Sequence, residues 1–469
     1  MRRYGAAGAS NDYIDMNILK KIWGVIMDFF TLKKLALDKN SGSIISASME
    51  EHINLWGQIL TGKAPWNKEA RCCGVIDGIA GAISDPVSEE MSVTTDNERL
   101  QESMDDLTSR ATDIVAFMAL CGGCVVRPVY ANSQLKYELV RLGNYIPVSY
   151  DLDGTLTGAV ITKEFEEKGK NYVLVEKHNW DGHAHHVQLM LYDITGGGDY
   201  KQRSLESTEK TAGLTPEYTY ENVDRPFLVE FRNRKTNNID GSNIPVSIYA
   251  GRENLLEDAD RQYKRLNWEQ EAGEKIVFAS HDLFRARQGE EGIRITPKLQ
   301  KLLVKVSDAG TEEKIQEYSP ALRTAEQVQA FQEILRRIEI SCKLGKGTLS
   351  NLEDSRMTAT QYQGGKKVLY TTVDSFESEL EKKYRECAWI FAYLLSAYEK
   401  VPFNPEITVS YNDAARKDPD QMRSAALLEL QNGIISKAEY RMRIFGETQE
   451  EAESKVPEPA APALGSFFG

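Results

Sequence analysis

Residues Asp151-Leu152-Asp153-Gly154-Thr155 set two carboxylates two positions apart beside a glycine and a hydroxyl, a combination able to do phosphoryl chemistry. Paired carboxylates are able to supply a nucleophile and a proton donor or acceptor beside a metal ion. The pair alone is not sufficient. Covalent phosphoryl transfer also needs a lysine and a downstream acidic cluster to hold the metal. No Asp-Asp pair and no Gly-Asp-x-x-x-Asp follows Gly154, and the adjacent pair Asp105-Asp106 lies upstream in a polar helical segment.

The five residues resemble the opening motif of the haloacid-dehalogenase-like phosphatases. That resemblance implies Asp151 as the carboxylate attacking phosphorus and Asp153 as the one handling the leaving-group proton beside magnesium, so a magnesium-dependent phosphatase using Asp151 is the alternative function. The surroundings read instead as an antiparallel meander. Alternating runs at 135–140, 145–150, 159–165, 172–178 and 186–193 are separated by DLDGTLTG, EEKGKN and NWDGHA. Asp153-Gly154 thus has a counterpart in Asp181-Gly182, and Asp-Gly suits the positive φ of such turns. We therefore expect Asp151 and Asp153 in a hairpin turn.

Other candidate ligands resolve similarly. Cys121-Gly-Gly-Cys124 has redox or zinc spacing, and Cys72-Cys73 offers two more sulfurs, but FMALCGGCVVRPVY reads as an apolar helix end turning into a strand. Buried structural thiols are expected. His183, His185 and His186 follow an Asp-Gly turn and are expected on an exposed hairpin. Gly345-Lys-Gly-Thr348 lacks the glycine spacing of a phosphate-binding loop. The expectation is a protein that is not an enzyme, with no catalytic residue, metal ligand or cofactor.

The chain has 469 residues, with 57 Lys+Arg against 70 Asp+Glu and a formal net charge of −13. That balance argues against a surface that grips nucleic acid everywhere, while leaving room for a local basic ring. The six cysteines do not suggest a disulfide framework. The apolar run WGVIMDFF (23–30), broken by Asp28 and flanked by lysines, is too short to cross a bilayer and suits an amphipathic helix. No membrane partner and a cytoplasmic location are the default.

These residues must be positioned by a mixed set of elements. A helix and a Gly/Pro loop occupy 48–70, one long helix 97–120, then the meander, then a polar surface loop or insertion at 196–222 and a strand at 225–233. A charged helix at 247–273 presents Leu255, Ala259, Tyr263 and Leu266 on one face. Strands at 275–280, 292–296 and 301–306 follow. Thr324 and Gln327 are spaced as a capping box for a helix striped by Val328, Phe331, Leu335, Ile338 and Cys342, with Gly345 as its stop. Thr358 and Gln361 form a second such pair, opening a helix of about forty residues, or about 60 Å. Its apolar residues run from Leu369 to Tyr398, and Pro402 ends it. A strand at 406–413, helices at 418–432 and 436–445, an acidic segment and the tail VPEPAAPALGSFFG complete the chain. Two antiparallel helices with a small β-rich insertion between their ends make a stalk, which calls for neighbours; the pattern suits equally identical subunits closing a ring and a monomer in which these helices pack on the meander.

From about residue 48 to about 446 the sequence resembles the portal proteins of tailed bacteriophages, the head-to-tail connectors of the siphophage and myophage type. The resemblance rests on FMALCGGCVVRPVY with VSYDLDGTLTGAVI, on NNIDGSNIPVSIYAGRENLLEDADRQYKRLNWEQEAGEKIVFAS, on FQEILRRIEISCKLGKGTLSNLEDSRMTATQY and on NGIISKAEYRMRIFG. The third is the most specific, with Gln361 where portal chains place Glu after Thr-Ala-Thr. Gly364-Gly365, early in the long helix, is a departure costing about 1 kcal/mol per glycine relative to alanine; it would permit a bend.

What the resemblance implies is an α+β portal architecture: a mixed wing at 1–246 with 406–413, stem helices at 247–273 and 321–343, and a clip at 274–320. A tunnel loop at 344–357, a long helix at 358–400, a helical crown at 414–453 and a disordered tail at 454–469 complete it. It implies a dodecameric ring in the virion, at one capsid vertex, assembled in the host cytoplasm, through which double-stranded DNA is packaged and ejected. Its implied partners are the terminase large subunit, a head-completion or tail adaptor protein, and the major capsid and scaffolding proteins. The loop would face DNA through Lys346 and Arg356, with Lys343 at its entry, while Glu353 and Asp354 limit phosphate affinity.

Overall fold

The computed structural model describes residues 44–68, 71–131, 133–194, 200–272, 276–280, 303–306, 315–318, 321–351, 359–411 and 419–456. The expected amphipathic helix near 23–30, the strand at 292–296, the cap residue Thr358, Arg356 and the tail beyond Val456 lie outside them. The fold is α+β, and the chain divides into two compact units, Met1–Val409 and Ser410–Gly469.

Among the described residues the first unit begins with helix α1 (Ala47–Leu60), whose first turn is capped by Ser46 accepting from the Met49 amide. Helix α2 (Val75–Glu90) and strand β1 (Met91–Thr94) follow. The helix expected over 97–120 is two helices, α3 (Glu98–Ser109) and α4 (Ala111–Cys121), broken at Arg110. Burial supplies the reason. Helix α3 is amphipathic, burying Leu100, Met104 and Leu107, whereas α4 is apolar on nearly every side and runs through the core.

Gly122 ends α4 with φ +92° and turns the chain into β2 (Gly123–Ala131), which pairs antiparallel with β3 (Gln134–Arg141). The meander follows as β4 (Tyr145–Tyr150), β5 (Leu156–Glu167), β6 (Lys170–Trp180) and β7 (His185–Ile194), joined antiparallel in that order. The polar segment at 196–222 is more than a surface loop. It supplies β8 (Tyr200–Arg203) and β9 (Glu217–Tyr220), each covering half of the outer edge of β7. Pairing offsets its polar composition by satisfying backbone groups, and Leu205, Thr208 and Thr211 are buried beneath it. Strand β10 (Val229–Arg232) then pairs with β2.

Helix α5 spans Glu253–Ala272, six residues shorter at its start than the 247–273 expected, because Ser247–Arg252 forms successive turns. Strands β11 (Ile276–Ser280), β12 (Leu303–Val306) and β13 (Ile315–Tyr318) form one small sheet, β11 parallel to β12 and antiparallel to β13. Helix α6 (Thr324–Cys342) runs antiparallel to α5: Gln262 donates to Gln327 at 2.6 Å, while seven residues on Glu269 meets Arg323, four residues back, at 3.2 Å. The expected capping box is absent; α6 begins after Arg323 without a side-chain cap, and Glu269 instead accepts from the Arg323 amide at 3.1 Å.

Helix α7 (Ala359–Glu399) has 41 residues and buries Val373, Phe376, Leu380, Tyr384, Cys387, Phe391 and Leu394 against α2, α3, β2, β3 and β10. Its end is pinned by Tyr398 stacked on Tyr130, ring centroids 4.5 Å apart. The strand expected at 406–413 is β14 (Thr408–Tyr411). The second unit contains α8 (Pro419–Gln431), α9 (Lys437–Phe445) and α10 (Gln449–Ser454). The last lies in the acidic segment, where Thr448 and Glu451 make a capping box. No helix among the described residues is long and apolar enough to cross a membrane.

Candidate nucleic-acid interface

Helix α5 shows how the molecule treats charge. Of its expected apolar face Ala259 is fully buried and Leu255, Tyr263 and Leu266 half-buried, while Glu253, Asp260, Gln262 and Glu269 are buried with Leu256. Glu253 accepts from the Trp56 indole at 2.8 Å, and Asp260 accepts from the Trp66 indole and the Cys73 amide, both at 2.8 Å. A charge pattern that reads as solvated is turned inward because partners from distant elements satisfy it.

The sequence-selected carboxylates lie where the turn reading put them. Asp151 and Asp153 are exposed between antiparallel β4 and β5, Asp151 accepting from the Leu152 amide at 2.6 Å and Asp153 from the Thr155 amide at 2.9 Å. The Thr155 amide holds the Asp153 carboxyl below its ordinary range. Gly154 has φ +83°, and its carbonyl accepts from Arg232 at 2.9 Å.

The histidine trio is split, which corrects the exposed-hairpin expectation for one member. His183 is exposed and His186 is half-buried against Asp181 and Thr219, but His185 is completely buried and within 3.0 Å of His178. Neighbouring strand residues face opposite sides, so His185 and His186 cannot share a ligand. Cys121 and Cys124 are buried thiols, and burial pushes the Cys121 thiol up to about 11. Cys72 is exposed and Cys73 half-buried, against the expectation that both are buried. Among the described residues, no three His, Cys, Asp or Glu side chains group as a metal site.

Helix α6 ends at Cys342, and its left-handed cap is Lys343 itself, with φ +54°, rather than Gly345. The Lys343 carbonyl accepts from Thr372 of α7 at 2.8 Å. Two residues on, Gly345 has φ +81° and lies so close to Gly365 that an added methyl group would collide with the Gly365 carbonyl. A methyl group on Gly365 would sit 3.1 Å from the Lys346 carbonyl. The glycine that departs from the portal pattern therefore has a packing role: loop and helix cross backbone to backbone. Gly364 has open space around it.

This crossing assembles cations that are far apart in sequence. Lys343 and Lys346 come from the loop, Lys366 and Lys367 from α7, and all four are exposed. Sequence reasoning selected the first two and missed the second two; the signal present was Gly-Gly-Lys-Lys itself, which made sense only once Gly365 met Gly345. Burial, followed by the nearby Arg252 and Lys343 charges among the causes acting in that direction, pulls Lys235 below its ordinary range. Its ammonium donates to the carbonyls of Ile248 and Ala250 at 2.6 and 3.1 Å. Arg356, the third expected contact, lies outside the described residues. Exposed lysines on both sides of a backbone crossing are the kind of feature that attracts a polyanion weakly and in a salt-screened way. Set against known proteins, the chain matches no family model and no curated protein.

Proposed function

We propose that this chain is a portal-type subunit that closes into a ring and passes double-stranded DNA, with the loop after α6 facing the duplex. The observation that carries the reading is the backbone contact of Gly345 and Lys346 with Gly365, which puts the chain positions of the exposed Lys343 and Lys346 next to those of the exposed Lys366 and Lys367. It gives the loop more cationic character than its sequence alone contains, in a chain whose net charge of −13 disfavours tight trapping of phosphates. The antiparallel α5–α6 pair, with the β11–β13 sheet inserted between its ends, supports the stalk that a ring would pack side by side. The dodecameric count, the virion location and the terminase, adaptor, capsid and scaffold partners belong to the same proposal.

Particle averaging of purified protein tests the ring. A central hole with about twelvefold symmetry is expected, and a persistent monomer across concentrations and salts would overturn the reading. Duplex binding followed against salt tests the interface. Replacing the four lysines by alanine should flatten the dependence of log affinity on log salt by about 0.9 for each phosphate that is no longer neutralised. An unchanged slope would remove the loop from the DNA path. The phosphatase alternative gains no support from the hairpin, where both carboxylates accept from their own turn's amides.

A further inference from the structure

Glu339 lies in the last turn of α6 and is 1% exposed. A buried carboxylate is costly unless its oxygens are bonded. Among the described residues, every hydrogen bond to its carboxylate comes from the loop that carries Lys346. The Gly347 amide lies 3.1 Å from both oxygens, the Leu349 and Ser350 amides lie 2.6 and 2.7 Å from Oε1, and the Ser350 hydroxyl lies 3.0 Å from Oε2. Two turns back on the same helix, Gln332 accepts from the Asn351 amide at 2.6 Å. The Leu349 side chain closes the arrangement by packing on Gly78 of α2. The loop backbone is thus wrapped around one anion.

We propose that Glu339 is the positioning residue of the lysine cluster: its carboxylate holds the loop folded so that Lys343 and Lys346 stay beside Lys366 and Lys367. The proposal rests on the DNA-interface reading above. Its consequence runs against simple electrostatics. Removing a negative charge near a cationic site should tighten its hold on a polyanion. If Glu339 positions the lysines, removing that charge weakens the hold instead, because the loop that carries Lys346 no longer stays folded against α7.

The test uses the full chain, a short DNA duplex as probe, and Glu339→Gln. Amide exchange over residues 344–351 should accelerate by about tenfold or more, since the loop's anchors open locally. Duplex affinity at fixed low salt should fall by about three- to tenfold despite the lost negative charge. Glu339→Asp, which keeps the charge one methylene short, should fall between wild type and Glu339→Gln in both readouts. Where Glu339→Gln does not fold, Ser350→Ala removes a single donor and should still speed exchange at Gly347 by about threefold. Unchanged exchange, or affinity that holds or rises, would overturn the proposal. Should the wild type bind no duplex at all, the interface reading falls and the binding half of this proposal with it, while the exchange result still decides whether Glu339 holds the loop.

Discussion

Gly345 and Gly365 touch backbone to backbone, with Gly345 at φ +81° and no room at either position for an unstrained side chain. Gly345→Ala should therefore cost about 2–4 kcal/mol through collision and positive φ together. Gly364→Ala, in open space beside Gly365 on α7, should be neutral or stabilise by up to about 1 kcal/mol. Chemical unfolding of the two variants separates them; equal effects would mean that the crossing is not a fixed contact.

The buried histidine pair makes an acid-sensitive joint. The Phe227 amide donates to His185 Nδ1 at 3.3 Å, which leaves His185 Nε2 to donate to His178 Nδ1 and His178 Nε2 to donate to Glu176 at 2.8 Å. Arg127 donates to the other Glu176 oxygen. All four ring nitrogens are committed, so an extra proton sets donor against donor. Burial, then the His178 and His186 rings, pull His185 down to about 3. Against the upward push of burial, the His178 and Arg127 contacts hold Glu176 down to about 2. Both folded values lie below the unfolded ones of about 6.5 and 4.3, so this stability is complete above about pH 6.5 and is lost as pH falls toward 3 and then 2. Thermal unfolding should show a midpoint dropping from pH 6.5 to 4, and His185→Gln should flatten that drop while lowering stability at neutral pH. A midpoint independent of pH over that window would refute the joint.

Asp260 joins α5 to Trp66 and Cys73, so Asp260→Ala leaves two inward-facing donors without their acceptor and should cost about 3 kcal/mol. Asp260→Asn keeps one acceptor and should cost about half as much. Burial and then Asp260 push the Cys73 thiol up to about 12. Either variant should therefore make Cys73 more reactive toward an alkylating agent near neutral pH, with wild-type rates in both counting against the contact.

For the Asp151–Thr155 hairpin, Asp151→Asn should change stability by no more than about 0.5 kcal/mol. Gly154→Val should destabilise by about 2 kcal/mol or more, because its φ is +83° and a Cβ would meet the Arg232 guanidinium at 3.4 Å. With magnesium and a phosphomonoester, neither wild type nor Asp151→Asn should turn over. Hydrolysis abolished by that substitution would restore the phosphatase reading.

Much of the fold was legible in the chain because it rests on short-range physics. The alternating runs between 134 and 194 with their Asp-Gly turns, and the unbroken stripe from Val373 to Leu394, are periodicities that a strand or helix must express wherever it is placed. The hairpin role of Asp153-Gly154 was local in the same sense. What only the tertiary structure decided were the places where a residue's worth depends on a partner far away. The α5 acids turned inward because Trp56, Trp66 and Arg323 met them. His185 was buried because Phe227 and His178 closed over it. Gly365, which read as a costly flaw in a helix, proved to be where Gly345 must pass, and that contact brought Lys366 and Lys367 beside Lys343 and Lys346. A glycine's cost is set by its own helix, but its benefit is set by whatever backbone approaches it, and that approach is not written within any window of the sequence.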